Sequence, residues 1–263
     1  MKIYVAMHKK IDLGFKSDLY EPLLVGSYNK KDKDILRDDK GENISSKNEN
    51  YCELTGVYWI WKNSKEDIVG LCHYRRFLSK RFFSNDSKYY LNESDLKKLF
   101  NNGYNIILPR KKLRLKKVKD GLNIAPNSED MNVVKNSIKK LFPEYIETYN
   151  KFMEEKSEYL CNVMIAKKEI FDEYSEWLFK ILYDVEENMD KETYIHDSYR
   201  KRMFGFISER LLNVWVIYNK DKLNIKEFYL INTQENYKQK LKYYVKQLIL
   251  KITQNLHKNK QEK

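Results

Sequence analysis

Short apolar runs rich in β-branched residues alternate with stretches of helical periodicity along this chain, and that alternation limits its fold more than any single motif. Lys2–Met7 (KIYVAM), Asp67–Cys72 (DIVGLC), Tyr104–Leu108 (YNIIL) and Tyr159–Ala166 read as strands, with Pro22–Gly26 as a shorter extended piece. Helical spacing runs from Ser45 or Ser46, either of which can cap, to Asn63; Tyr51, Leu54, Tyr58 and Trp61 share one face. Further helices are predicted over Ser94–Asn101, up to Leu141, from Pro143 to Glu155, over Lys168–Glu187 and in the second half of Phe204–Tyr218. Asn29–Glu42, polar and charged, reads as a loop. Strands that alternate with helices predict an α/β fold with a mostly parallel central sheet. Ligands of such sheets bind beyond the carboxyl ends of the strands. His8-Lys9 and His73-Tyr74-Arg75-Arg76 both fall at such ends.

The charge is patchy. Of a formal net charge of +12, Arg110–Lys119 supplies seven basic residues and no acid, and the stretch from Asn236 onward supplies eight Lys against one Glu. Such patches point to phosphate: nucleic acid, nucleotide or an anionic membrane face. A nucleic-acid-binding module is the alternative class. No recognised motif supports it, and the basic stretches avoid the aromatic helix at Tyr51–Trp61, so nucleic acid is not an expected partner. The length of 263 residues suits one domain, residues 1–233, with a basic amphipathic helix or tail over 234–263. In that tail Leu241, Tyr244, Val245, Leu248, Ile249, Ile252 and Leu256 share a face and most lysines lie elsewhere. This suits an anionic membrane surface. The plainer alternative is a helix that packs its apolar face on the domain with Lys outward. Cys52, Cys72 and Cys161 form no CxxC pair, which suggests a reducing compartment. No signal peptide is evident and no run approaches the ~20 apolar residues of a membrane span. The expected location is the cytoplasm, peripheral at the inner face of the cell membrane.

The densest chemistry lies between Asn43 and Arg76. Each guanidinium of Arg75 and Arg76 offers a planar fork that matches phosphate oxygens, so the pair can take a diphosphate; alternatively one of them pairs with Glu53. Glu53 sits in an aromatic helix face, where a carboxylate needs a partner, either an ion pair or sugar hydroxyls. Asn43, Ser45, Lys47 and Asn48 cluster at a helix start, where free amides bind anions; a simple cap with a solvated Lys is the other reading. Glu209 in Gly205-Phe206-Ile207-Ser208-Glu209-Arg210-Leu211 can be a general base or a favourable charge near a helix start. Asn162 interrupts an apolar strand and needs partners, from a ligand or from the backbone. There is no Walker motif and no G-x-G-x-x-G. His8, His73, His196 and His257 show no paired ligand spacing. Asp32-Lys33-Asp34 and Glu93-Ser94-Asp95 follow no buried strand and read as solvated charge. No metal site is predicted.

The succession H-K near the amino end, N-I-S-x-K-N, Y-C-E-L-T-x-x-Y-W-x-W-K-N and G-L-x-H-Y-R-R resembles a family of bacterial capsular and exopolysaccharide glycosyltransferases. That family was long described as a domain of unknown function, and its members are assigned β-1,3-galactofuranosyltransferase activity. N-x-M-I-x-K-K-E-x-F-D-E-Y-x-E-W-L-F and G-F-I-S-E-R-L-L resemble it too, so the likeness spans Met1 to Tyr218. It implies a GT-A-like, single Rossmann-type domain that transfers a hexose, galactofuranose by analogy, from a UDP-sugar to a lipid-linked (undecaprenyl-diphosphate) saccharide, with inversion. A retaining transferase or a nucleotide-sugar hydrolase on the same fold stays open. By the resemblance Glu209 is the base. His8, Lys9, His73, Tyr74, Arg75, Arg76, Asn43, Lys47 and Asn48 fall to the donor and its diphosphate. Glu53, Asn162, Met164 and Ser208 fall to the sugar or acceptor pocket. Most enzymes of this type hold a divalent metal with a D-x-D motif. Here His-Tyr-Arg-Arg stands in that place, so fixed positive charge can take over the metal's electrostatic role; a divalent metal stays open as the less favoured alternative, and no cofactor is expected.

Overall fold

The computed structural model describes residues 1–32, 34–122 and 126–261. Lys33, the centre of Asp32-Lys33-Asp34, and the side chain of His257 lie outside the described residues. From the amino end the elements are β1 (Lys2–Met7), β2 (Tyr20–Leu24), β3 (Leu36–Arg37), α1 (Asn48–Tyr51), α2 (Leu54–Asn63), β4 (Ile68–His73), β5 (Arg76–Ser79) and α3 (Glu93–Asn101). There follow β6 (Ile106–Pro109), β7 (Lys112–Leu113), α4 (Ser128–Leu141), α5 (Ile146–Met153), β8 (Ser157–Glu158), β9 (Met164–Lys167) and α6 (Lys168–Asn188). Last come α7 (Glu192–Ile195), α8 (Met203–Tyr218), β10 (Ile225–Asn232) and α9 (Tyr237–Gln261).

The α/β class holds, but the sheet is mixed rather than mostly parallel. β3, β2, β1 and β4 run parallel in that order. Beyond β4 the direction changes: β9 pairs antiparallel with both β4 and β6, β10 runs parallel to β6, and β5 runs antiparallel to β10. The cause is the way the chain enters β9. It arrives through Cys161-Asn162, and the Cys161 carbonyl lies 2.9 Å from Nε2 of His73 at the end of β4. β9 therefore starts where β4 stops and runs the other way. The small pair β7–β8 is antiparallel and lies apart.

Both faces of the large sheet are covered, which is why its strands lack a polar face. Alternate residues serve opposite layers. Tyr4 and Ala6 of β1 join Leu71, Leu108 and Ala166 in a core shared with α2, α4, α5, α6 and α8. Ile3, Val5 and Met7 face the other way, with Ile107 and Ile165, under α3 and a set of stacked and edge-on rings from Phe15, Tyr20, Phe77 and Tyr90.

Two predicted elements are interrupted. The helix expected up to Asn63 is two: α1 ends at Cys52, whose φ is 51°, and α2 starts at Leu54. Asn48 holds the break, donating from Nδ2 to the Cys52 carbonyl (2.6 Å) and to Thr55 Oγ1 (3.0 Å). The strand expected over Tyr159–Ala166 shrinks to Met164–Lys167, because Asn213 of α8 takes both backbone groups of Tyr159, at 2.7 and 2.9 Å.

The helix α9 is inverted relative to an ordinary surface helix. Its docked face is mostly polar and aromatic, with Leu250 the buried aliphatic residue among them. Gln247 accepts from the Leu113 amide (2.7 Å) and donates to the Leu113 carbonyl (3.2 Å), bracketing β7. Lys240 is buried and donates to Asn85. Tyr243 and Tyr244 pack on Phe82. Meanwhile Leu241, Val245, Leu248, Ile249, Ile252 and Leu256 are 42% to 58% exposed. The apolar stripe thus faces outward, against the plainer reading of that helix; Tyr244, at its edge, is also exposed and meets the Phe82 and Phe83 rings.

Candidate active site

β2, β1 and β4 are parallel neighbours that end side by side, and this brings Val25, His8 and Tyr74 together. They form one wall of a cleft of about 440 Å³. Asn48, Cys52 and Glu53 at the α1–α2 break, with Arg202, Phe206 and Glu209 at the start of α8, form the other. The loop before α1 is pinned from beneath by buried Asp38, which accepts from the Gly26 amide (2.8 Å), the Ser27 amide (2.9 Å) and hydroxyl (2.8 Å), and the Ser45 hydroxyl (2.6 Å). Gly26 has φ +59°, and a Cβ there would stand 2.4 Å from Asn48 Oδ1, so glycine lets Asn48 sit against the end of β2.

A buried amide ties the acidic side of the cleft together. Asn162 Nδ2 lies 2.8 Å from Glu53 Oε1, 2.8 Å from Ser208 Oγ and 3.3 Å from the Gly205 carbonyl. Ser208 in turn donates to the Gly205 carbonyl at 2.7 Å. The ion pair between Glu53 and Arg75 or Arg76 is not formed among the described residues; the partner of Glu53 is this amide. Cys52, Cys161 and Asn162 are the non-glycine residues with positive φ among the described residues, at 51°, 72° and 48°, and all three belong to this one place. Backbone in that region costs on the order of 1–3 kcal/mol per residue and persists where the surroundings enforce it. Asn tolerates it best, because its short polar side chain bonds locally.

Glu209 lies on the floor. Burial, helped by the nearby charge of Glu53, pushes its carboxyl up to about 7 against the opposing pull of Arg210 and a hydrogen bond from the Cys161 backbone. Its Oε2 is 3.4 Å from Arg210 Nη1. His73 donates from Nε2 to the Cys161 carbonyl, since a carbonyl only accepts. Burial holds its pKa below the ordinary value despite the Glu53 charge. His73 therefore braces the 161–162 turn as a neutral ring. His8 meets the Tyr74 ring edge-on at 5.4 Å, and burial together with Lys9, Lys30 and Arg75 lowers its pKa. Arg75 donates to Gln234 Oε1 at 3.2 Å, and neither Arg75 nor Arg76 has a carboxylate partner among the described residues.

His8, Asn48, Glu53, His73, Tyr74, Arg75, Arg76 and Glu209 are thus brought into one cleft, with Asn162 and Ser208 directly beneath. Others are not. Lys9 is exposed outside the lining. Asn43 closes a local turn, donating to the Gly41 carbonyl and accepting from the Ser45 amide. Lys47 turns away to Glu186 at 2.5 Å, over the Tyr51 and Tyr183 rings. Met164 is buried in the core, because the strand begins there and alternation points it at the helix layer. The sequence reading missed Arg202, which faces the cleft over the Phe206 ring at 5.3 Å. Its signal was the Arg200-Lys201-Arg202 triplet just ahead of the Ser-Glu-Arg segment. Asp38 carried no signal: it is one acid in a charged loop.

Residues 2–221 match the family described as Domain of unknown function (DUF4422). The chain belongs to the DUF4422 family. Among solved structures it is similar to the apo form of WbbM, a bifunctional glycosyltransferase, with a TM-score of 0.77 and 31% identity over 89% of this chain. The match covers 45% of WbbM, so the chain spans under half the length of that protein. No curated protein matches it. The DUF4422 match takes in every residue lining the cleft and leaves out β10 and α9.

Proposed function

We propose that this DUF4422 chain is a GT-A-type glycosyltransferase that moves a hexose from a UDP-sugar to a lipid-linked saccharide. The observation that carries the reading is the polarity of the cleft. Arg75 and Arg76 stand at the end of β4 without carboxylate partners, while Glu209 and Glu53 stand opposite on α8 and the α1–α2 break. A diphosphate fits the first side and sugar hydroxyls the second. The likeness to WbbM and the family resemblance set out above point the same way; the latter suggests galactofuranose as the hexose and a polysaccharide of the cell surface as the product.

In this reading Glu209 Oε takes the proton of the acceptor hydroxyl as that oxygen attacks the anomeric carbon. The bond from that carbon to UDP breaks, and the charge arriving on the diphosphate is met by the two guanidiniums. A pKa near 7 suits a base working near neutrality. Attack opposite the leaving group inverts the anomeric centre. Because Glu53 lines the same cleft, a double displacement with retention, or simple hydrolysis, is the second reading; the anomeric configuration of the product separates them.

The proposal assigns the diphosphate to arginines rather than to a divalent ion, on the chemistry of the donors present. The carboxylates of the cleft are engaged elsewhere: Glu49 by Lys201 at 2.6 Å, Glu53 by Asn162, and Glu209 by the Cys161 backbone. No group of three or more His, Cys, Asp or Glu converges among the described residues.

The proposal also places the protein at the cytoplasmic membrane face. No helix among the described residues is long and apolar enough to cross a membrane. The outward apolar stripe of α9, flanked by lysines, suits an anionic lipid surface. The test is transfer of label from a panel of radiolabelled UDP-hexoses into the lipid fraction of bacterial membranes. Incorporation from one donor, lost in Glu209→Gln, supports the reading. Absence of incorporation from every UDP-hexose, with lipid extracts that a known transferase can use, overturns it.

A further inference from the structure

Beyond the cleft, two hollows run on toward α9. The first, of about 210 Å³, shares Arg76 with the cleft and is also lined by Cys161, Arg110 and Lys112. The second, of about 540 Å³, shares Arg110, Phe82 and Tyr243 with the first. It lies between the inner edge of α9 and the β7–β10 side of the domain. The cleft and the two hollows therefore lie side by side, adjoining first at Arg76 and then at Arg110, Phe82 and Tyr243, in a row that leads to the helix with the outward apolar stripe.

The chemistry of this row changes along its length. Its near part is cationic. Arg110 lies over the Tyr229 ring at 3.8 Å and Lys111 over the Tyr159 ring at 5.0 Å; neither they nor Lys112 have an ion pair among the described residues. The acids along it are Glu227, which accepts from the Tyr159 hydroxyl at 2.6 Å, and Glu235, which accepts from Asn232 at 3.4 Å. Cations outnumber them. Its far part sets Tyr244, Leu248 and Leu113 beside Phe82, with Gln247, Lys251, Gln254 and Asn255 of α9 along one side. A molecule that fits both parts has an anionic head and a long apolar tail.

We infer that this groove holds the diphosphate and the first part of the lipid chain of the acceptor, with its sugar end reaching Glu209. The inference rests on the transferase reading above and adds a second phosphate site to it, separate from the donor's. Its place against the cleft favours substrate over bulk membrane lipid. A phospholipid would need only the outer face of α9, whereas this groove adjoins the cleft at Arg76. The tail end leaves beside Leu248, which both lines the groove and stands in the exposed stripe. One helix thus meets the membrane with one side and the lipid substrate with its edge.

The test is isothermal titration of the full chain with farnesyl diphosphate, with and without saturating UDP, beside Arg110→Ala/Lys112→Ala. Both residues are exposed, and UDP titration of the variant reports on its fold. The expected result is binding that UDP does not displace, weakened about tenfold or more in the variant, with UDP affinity unchanged. Farnesol, which lacks the charge, and inorganic diphosphate, which lacks the chain, are expected to bind at least about tenfold more weakly than farnesyl diphosphate. Vesicles of anionic phospholipid are expected to bind variant and wild type alike. No binding of farnesyl diphosphate, displacement by UDP, equal affinity of the variant, or loss of vesicle binding in the variant would each overturn the groove assignment. Failure of the wild type to bind UDP would strike the transferase reading instead.

Discussion

The cleft and the helix α9 break the usual rule of burial in opposite directions. In the cleft, polar groups are buried: Asn162 and Ser208 lie beneath the surface and bond to half-buried Glu53, beside backbone held at positive φ. On α9, apolar groups are exposed: Ile249 and Leu256 stand more than half open to solvent while Lys240 is covered. Neither arrangement is the most stable one for a chain in water. What the difference teaches is where each region meets its partner. A buried polar network presents fixed dipoles to a small polar ligand, and an exposed apolar stripe presents area to a large apolar one.

The largest effect expected from breaking the comparison is at Glu209. Replacement by Gln keeps the shape and removes the base, and transfer falls about 10²–10⁴-fold. With Glu209 in place, the rate is expected to fall as pH drops below about 7, the range in which its carboxyl gains a proton. Stability moves the other way. Because burial raises this carboxyl, the protonated form is the one the fold favours. Its contribution is complete below the ordinary carboxylate range and is lost as pH rises through about 7. Glu209→Gln should therefore melt above wild type at pH near 8 and level with it at pH near 4; a lower melting point for the variant at the alkaline end would contradict the burial account.

Asn162→Ala comes next. It leaves Glu53 without its amide and places a residue with no local hydrogen bond at φ 48°. Chemical denaturation is expected to show a loss of about 2–3 kcal/mol, and a loss under half of that would mean the network is not what holds the 161–162 turn. The smallest effect is on α9. Ile249→Glu/Ile252→Glu alters only the outward stripe, so the melting point stays put while the fraction sedimenting with anionic vesicles drops about tenfold. Unchanged sedimentation would remove the membrane from the account and leave the cleft untouched.

Much of the cleft was legible in the sequence, because its residues are neighbours along the chain or sit at strand ends. His8, and the run from His73 to Arg76, follow apolar runs, and the structure brings them into one cleft at the strand ends. What was not legible depended on long-range register. The direction of β9 is set by the 161–162 turn beneath His73, and no local pattern announces it. Lys47 looked like part of an anion site until its partner, Glu186, arrived from α6. The periodicity of α9 was read correctly, but periodicity says which residues share a face and not which face docks; Gln247, bracketing β7, decides that.

The most direct test of the central claim is titration of the purified protein with UDP, with and without Mg²⁺ or Mn²⁺, beside Arg75→Ala/Arg76→Ala. The account predicts binding that needs no added metal and weakens about 100-fold in the variant, the loss of two charge-assisted contacts. Binding that appears only with metal, or that the variant retains in full, would contradict the assignment of the diphosphate to these arginines.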